Sequence, residues 1–214
     1  PDARRRLQAL GYLSGVSDAA GTLVDPKDRR ELAARLGQVA SGELTGAALE
    51  SALAGILADD PGNPQAALRL GYAIAGRGDC RAAMPHFRTA IASGMPTADA
   101  HLGLAGCLAG ARAFAEARSV LEAAAILEPG NPGVAANQGA VRSDGGQPSE
   151  AVPFFEGALA LDPDFHQARF GLALAHARAG DRAAAAAAAE ELLSRLPAAA
   201  PQRAEVERLL AAVR

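Results

Sequence analysis

The chain has 214 residues, half of them hydrophobic but only 4% aromatic, and a formal net charge of −3. That is enough apolar surface for one elongated domain, with a core built mainly from alanine and leucine, a composition that favours helix. The near-neutral balance excludes a nucleic-acid or anionic-membrane footprint, and no run of about 18 apolar residues exists to span a bilayer.

Residues 3–13 read as a short helix, and its Arg4-Arg5-Arg6 run as a solvated face. Residues 14–24, rich in Gly, Ser and Asp and without apolar periodicity, read as a linker and as the most mobile internal stretch. Pro26 suits the first turn of a helix in which Leu32, Leu36 and Val39 give the period and Gly42 the stop. A second helix from about Thr45 to Ala58 uses Ala48, Leu49, Ala52, Leu53, Ile56 and Leu57, then breaks at Pro61. These two helices, 25–63, have the form of a degenerate repeat of the unit that follows.

Residues 64–199 are a 34-residue unit written four times. Sliding the chain by 34 aligns Ala83, Ala117, Ala151 and Ala185 in one column and Phe87, Leu121, Phe155 and Ala189 in another. Ala90, Ala124, Ala158 and Leu192 form a third, and Gly71, Ala105, Gly139 and Ala173 a fourth. Within a unit the apolar spacing of three, four and seven on either side of Gly78 predicts two amphipathic helices joined by a tight turn. Asn63-Pro64 and Asn131-Pro132 each pair an N-cap with a first-turn proline, and Pro96, Pro129, Pro163 and Pro197 close the units. A break at 198–201 precedes a final helix, 202–214, with Val206, Leu209, Leu210 and Val213 on one face; residues 200–214 read as a cap.

The Leu70-Gly71, Leu104-Ala105 and Leu172-Ala173 pairs, the alanine and large-apolar columns and the closing prolines resemble the tetratricopeptide repeat family. The resemblance implies an all-α, right-handed superhelical solenoid of antiparallel helix pairs with a C-terminal capping helix, acting by binding other proteins. Three departures stand out: Gln138 and Arg142 replace apolar residues, Ala189 is small where Phe87 and Phe155 are large, and Met95-Pro96 carries one extra residue. A second resemblance rests on residues 7–15 with Asp25-Pro26-Lys27-Asp28, which look like the end of a bacterial sulfatase-type catalytic domain of the alkaline phosphatase superfamily. It implies a non-catalytic tail of a hydrolase, with no catalytic residue of that family present here. Beginning at Pro1, the sequence reads as a fragment or a processed product, and its arginine-for-lysine bias, Lys27 being the only lysine, as GC-rich bacterial coding.

No constellation for catalysis is found, and no cofactor or metal is expected. His86, His101, His166 and His176 lack partners at ligand spacing and read as helix-surface histidines. Cys80 and Cys107, one in a turn and one inside a helix, read as ordinary small residues rather than a disulfide. The first helices of the repeats expose a stripe containing Leu68, Tyr72, Leu102, Gly106, Ala109, Ala136, Ala140, Phe170 and Leu174, with no Lys or Asn. Such a stripe is either buried against neighbouring helices or an apolar groove for a protein or peptide partner, an apolar helix or extended segment, including a catalytic domain of the same protein.

Overall fold

The computed structural model describes residues 44–95 and 97–214, together with 37, 39 and 42. The expected N-terminal helix, the linker, most of the helix opened by Pro26 and the closing Pro96 lie outside the described residues. Among those described there are ten α-helices and no strands: α1 (Gly46–Asp59), α2 (Pro64–Gly76), α3 (Cys80–Ala92), α4 (Asp99–Gly110), α5 (Phe114–Leu127), α6 (Pro132–Asp144), α7 (Pro148–Leu161), α8 (His166–Ala179), α9 (Arg182–Arg195) and α10 (Arg203–Val213). From α2 to α9 they form four antiparallel pairs joined by short turns, and each pair stacks on the next in a right-handed solenoid.

Local chemistry sets the boundaries. Asn63 accepts a hydrogen bond from the Ala66 amide (2.9 Å), and Asn131 accepts from Gly133 (2.8 Å) and Val134 (3.2 Å), each with proline at the first helical position. Asp79 and Asp181 cap α3 and α9 in the same way. Between the two helices of each unit one residue adopts a left-handed backbone: Gly78 (φ 91°), Arg112 (61°), Gly146 (87°) and Gly180 (86°). Arg112 alone pays the Cβ clash that glycine avoids. The extra residue near Met95 makes α4 begin at Asp99, one place later than the α2, α6 and α8 register. Ala98 has no capping side chain; its amide instead donates to Glu128 Oε1 (2.8 Å), from the end of α5.

Every residue of the four repeated columns is buried. The size differences along them have a geometric cause. The Phe87 ring lies against Gly71 of its own repeat, where an added Cβ would come within 2.8 Å of the ring, and against Gly103 of the next repeat, which is closer still. Phe155 repeats the arrangement with Gly139 (3.0 Å) and, closer, Gly171. Each phenylalanine is thus a disc held between two glycines of successive repeats. In the second repeat the same two columns hold Leu121 and Ala105, buried in one cluster, and in the fourth they hold the small Ala189 and Ala173, buried in another.

The polar departures in the third repeat are accommodated at its periphery. Arg142 stacks its guanidinium over Phe154 (3.9 Å to the ring centroid), and Gln138 donates to the Leu121 carbonyl (3.4 Å). α10 buries Val206, Leu210 and Val213 against α9, while Leu209 is half-buried. Arg203 Nη1 donates to the carbonyls of Leu193 (2.8 Å) and Leu196 (3.0 Å), acceptors that the end of α9 cannot satisfy within its own helix. One expectation is overturned: Cys80 and Cys107 are joined in a disulfide, with Cα atoms 5.0 Å apart, inside the usual range for the bond. Stacking places the start of α3 beside the middle of α4, a proximity invisible in their 27-residue separation.

Candidate functional site

The nine stripe residues fall into three settings along the first helices of the repeats. In α2, Leu68 is only 7% exposed and belongs to the main core cluster, because α1 and α4 both pack on this helix; it supports the face from behind. Tyr72 is 44% exposed, yet its hydroxyl donates to the Asp99 carbonyl (2.8 Å) and its ring meets Phe87 edge-on at 5.0 Å. Partial burial and the nearby Asp99 carboxylate push its phenol up, which keeps it neutral. In α4, Leu102 is half-buried against Ala98, Ala124 and Val134, Ala109 is half-buried, and Gly106 is exposed, with open space where a side chain would project.

The third setting is a formed concavity. Ala136 and Ala140 of α6 and Phe170 and Leu174 of α8 line one pocket of about 160 Å³, floored by Phe155 and Gly171. At the floor the Phe155 ring presses on Gly171, whose missing side chain lets the ring lie directly against the α8 backbone. Around this apolar floor stand Asn137, Ser143, Asp144, Gln167 and Arg178. Asn137 Nδ2 donates to the Gly133 carbonyl (2.8 Å), and its amide oxygen makes no hydrogen bond within the described residues. Arg178 Nη1 bridges Ser143 Oγ (2.8 Å) and Asp144 Oδ1 (2.6 Å), tying the fourth repeat to the third at one end of the pocket and leaving it without net charge there.

These polar residues lie beside the stripe, whose own positions hold no Lys or Asn. The stripe follows one set of columns, whereas the wall of the pocket is one residue wider: Asn137 occupies the column of Arg69, Gly103 and Gly171, and Arg178 that of Gly76, Gly110 and Asp144. The 34-residue alignment could have found them had the neighbouring columns been followed for glycine and amide rather than for apolar residues. No chemistry-bearing cluster accompanies the pocket. Among the described residues no three His, Cys, Asp or Glu side chains converge as a metal site would need. Burial pushes the His86 and His101 imidazoles down, favouring their neutral forms. No described helix is long and apolar enough to cross a membrane.

Comparisons agree with this architecture. Sequence models described as Tetratricopeptide repeat match residues 75–132 and 144–213, together more than half of the chain. No curated protein matches it in sequence. Among solved structures, the thermophilic TPR protein TTC0263 of Thermus thermophilus superposes with a TM-score of 0.68 at 21% identity, over 86% of this chain and 99% of that one. A MamA crystal structure gives 0.65 at 19% identity, over 78% of this chain and 91% of that one. YrrB, described as a TPR protein with an unusual peptide-binding site, gives 0.61 at 16% identity, over 85% and 89%. At these identities the likeness is one of fold. Neither sequence match extends to the N-terminal stretch that looks like the end of a sulfatase-type domain.

Proposed function

The chain belongs to the tetratricopeptide repeat family, a family that binds proteins and peptides, and we infer that its binding site is the pocket between α6 and α8 and the groove that continues from it. The observation that carries this reading is the open apolar floor of Phe155, Phe170 and Leu174 edged by amide groups. An apolar side chain of a peptide or helix covers the Phe155 ring, and the Asn137 amide oxygen accepts an N–H from the partner's backbone. Gly106 and Ala140 keep the path along the groove shallow enough for main chain to approach. The peptide-binding site named for YrrB supports the same class of partner.

The test uses a peptide selected from a random library against the whole chain, measured by calorimetry. Leu174→Asp places an unpaired charge at the interface and lowers affinity by at least about 30-fold, the loss of an interface hot spot. Circular dichroism of the variant stays that of the parent, because Leu174 is half-buried rather than core. Affinity changes little between low and high salt, since the floor carries no charge. Binding that survives Leu174→Asp in a folded protein places the site elsewhere.

A further inference from the structure

The disulfide between the first two repeats has a role that the fold alone does not require. All four repeats stack as antiparallel helix pairs, and only the interface between the first two carries a covalent bond. Its two ends differ in access: Cys80, the first residue of α3, is partly exposed beside the Gly78 turn, while Cys107 in α4 is 2% exposed within the core. Of the two cysteines, Cys80 is therefore the one nearer solvent. It joins two neighbouring units on the N-terminal side of the four-repeat stack, where α1 packs on α2 from the other side, and each unit of a repeat array is stabilised by its neighbours.

We propose that the Cys80–Cys107 bond is a redox-controlled staple that holds the first repeat, α2 and α3, onto the second, and that reduction by a small dithiol releases this repeat while the later ones stay folded. A thiolate of the dithiol attacks Cys80 Sγ, a mixed disulfide forms and Cys107 leaves as thiolate. The second thiol of the reductant then closes its own disulfide and releases Cys80. Two electrons pass to the protein, the two thiolates take up two protons, and the dithiol is oxidised. With the staple open, only non-covalent contacts join the first repeat to the second, among them the Tyr72 hydroxyl on the Asp99 carbonyl, the Phe87 ring on Gly103 and the Arg88–Glu116 ion pair.

Hydrogen exchange of the whole 214-residue chain, air-oxidised and then treated with dithiothreitol, tests this. Oxidised protein contains no alkylatable thiol after denaturation. Reduction adds the mass of two hydrogens and speeds exchange in α2 and α3 by at least about tenfold, while α7 to α9 are unchanged. The thermal midpoint of the first transition falls by about 5–10 °C. Cys80→Ser shows the fast exchange in α2 and α3 with or without dithiothreitol. Two alkylatable thiols in the air-oxidised protein, exchange in α2 and α3 indifferent to reduction, or equal acceleration in every helix overturns the proposal, and each is read from the unmutated chain.

Discussion

The third and fourth repeats solve the same packing problem in opposite ways. In the third, Phe155 fills the space between its two helices and the next repeat, and glycine at 139 and 171 makes room for the ring. In the fourth, Ala189 and Ala173 let the helices meet with little between them, and apolar mass comes instead from Leu192 and from Val206 and Leu210 of α10. A repeat column therefore does not specify a residue. It specifies a volume shared among three positions, two in one repeat and one in the next, and a change at one must be met at the others.

That account can be broken first at the ring. Phe155→Ala removes a 3% exposed side chain whose neighbours are glycines with nothing to fill the void, and costs about 3–5 kcal/mol in chemical denaturation. A loss below about 1 kcal/mol would show that Phe155 is not core. The reverse change comes next: Gly171→Ala drives a Cβ into the ring and destabilises by about 1–3 kcal/mol, although alanine is the better helix former. Combining Gly171→Ala with Phe155→Leu costs less than the sum of the two single changes, because the volumes are coupled. Strict additivity would sink the shared-volume reading.

Smaller effects sharpen the contrast at the turns and caps, where the units should be equivalent. Arg112→Gly, at the non-glycine left-handed position, stabilises by about 0.5–1 kcal/mol, net of its cation–π contact with Phe114 (5.7 Å). The same substitution pattern in reverse, Gly146→Ala, destabilises. Smallest is the Glu128 cap, whose carboxyl is held below its ordinary value by hydrogen bonds from the Asn131 side chain and the Ala98 amide. Because the folded state lowers this pKa, the contribution is present above the unfolded value near 4.5 and disappears as pH falls through the folded one. Glu128→Gln flattens that part of the acid limb in a pH series of melting curves.

The columns were legible because burial at identical places in successive units restricts residue type, so Ala83, Ala117, Ala151 and Ala185 announce themselves at a fixed period. The caps Asn63 and Asn131 were legible because the capping bond is local, spanning three residues. What escaped depends on stacking. Gly103 and Gly171 answer to a ring in the preceding repeat, and their column also holds Arg69 and Asn137, so no common residue type marks it. The Cys80–Cys107 bond joins different positions of neighbouring units and leaves no periodic trace. Leu68 shares the stripe's spacing yet is buried, because a single stripe cannot tell which part of a wide apolar surface the adjacent helices cover.

The two phenylalanine discs also bear on how the solenoid is joined. Phe87 bolts the first repeat to the second and Phe155 the third to the fourth, whereas the middle junction has Leu121, Val134 and Val141 together with polar bonds: Asn131 to Glu128 (2.6 Å), Gln138 to the Leu121 carbonyl (3.4 Å) and Arg118 to Gln147 (3.4 Å). The joints are therefore made of different materials: a ring against glycine at the outer two, and at the middle one a polar clasp of Asn131 and Ala98 on Glu128, immediately ahead of the helix that carries Ala136 and Asn137.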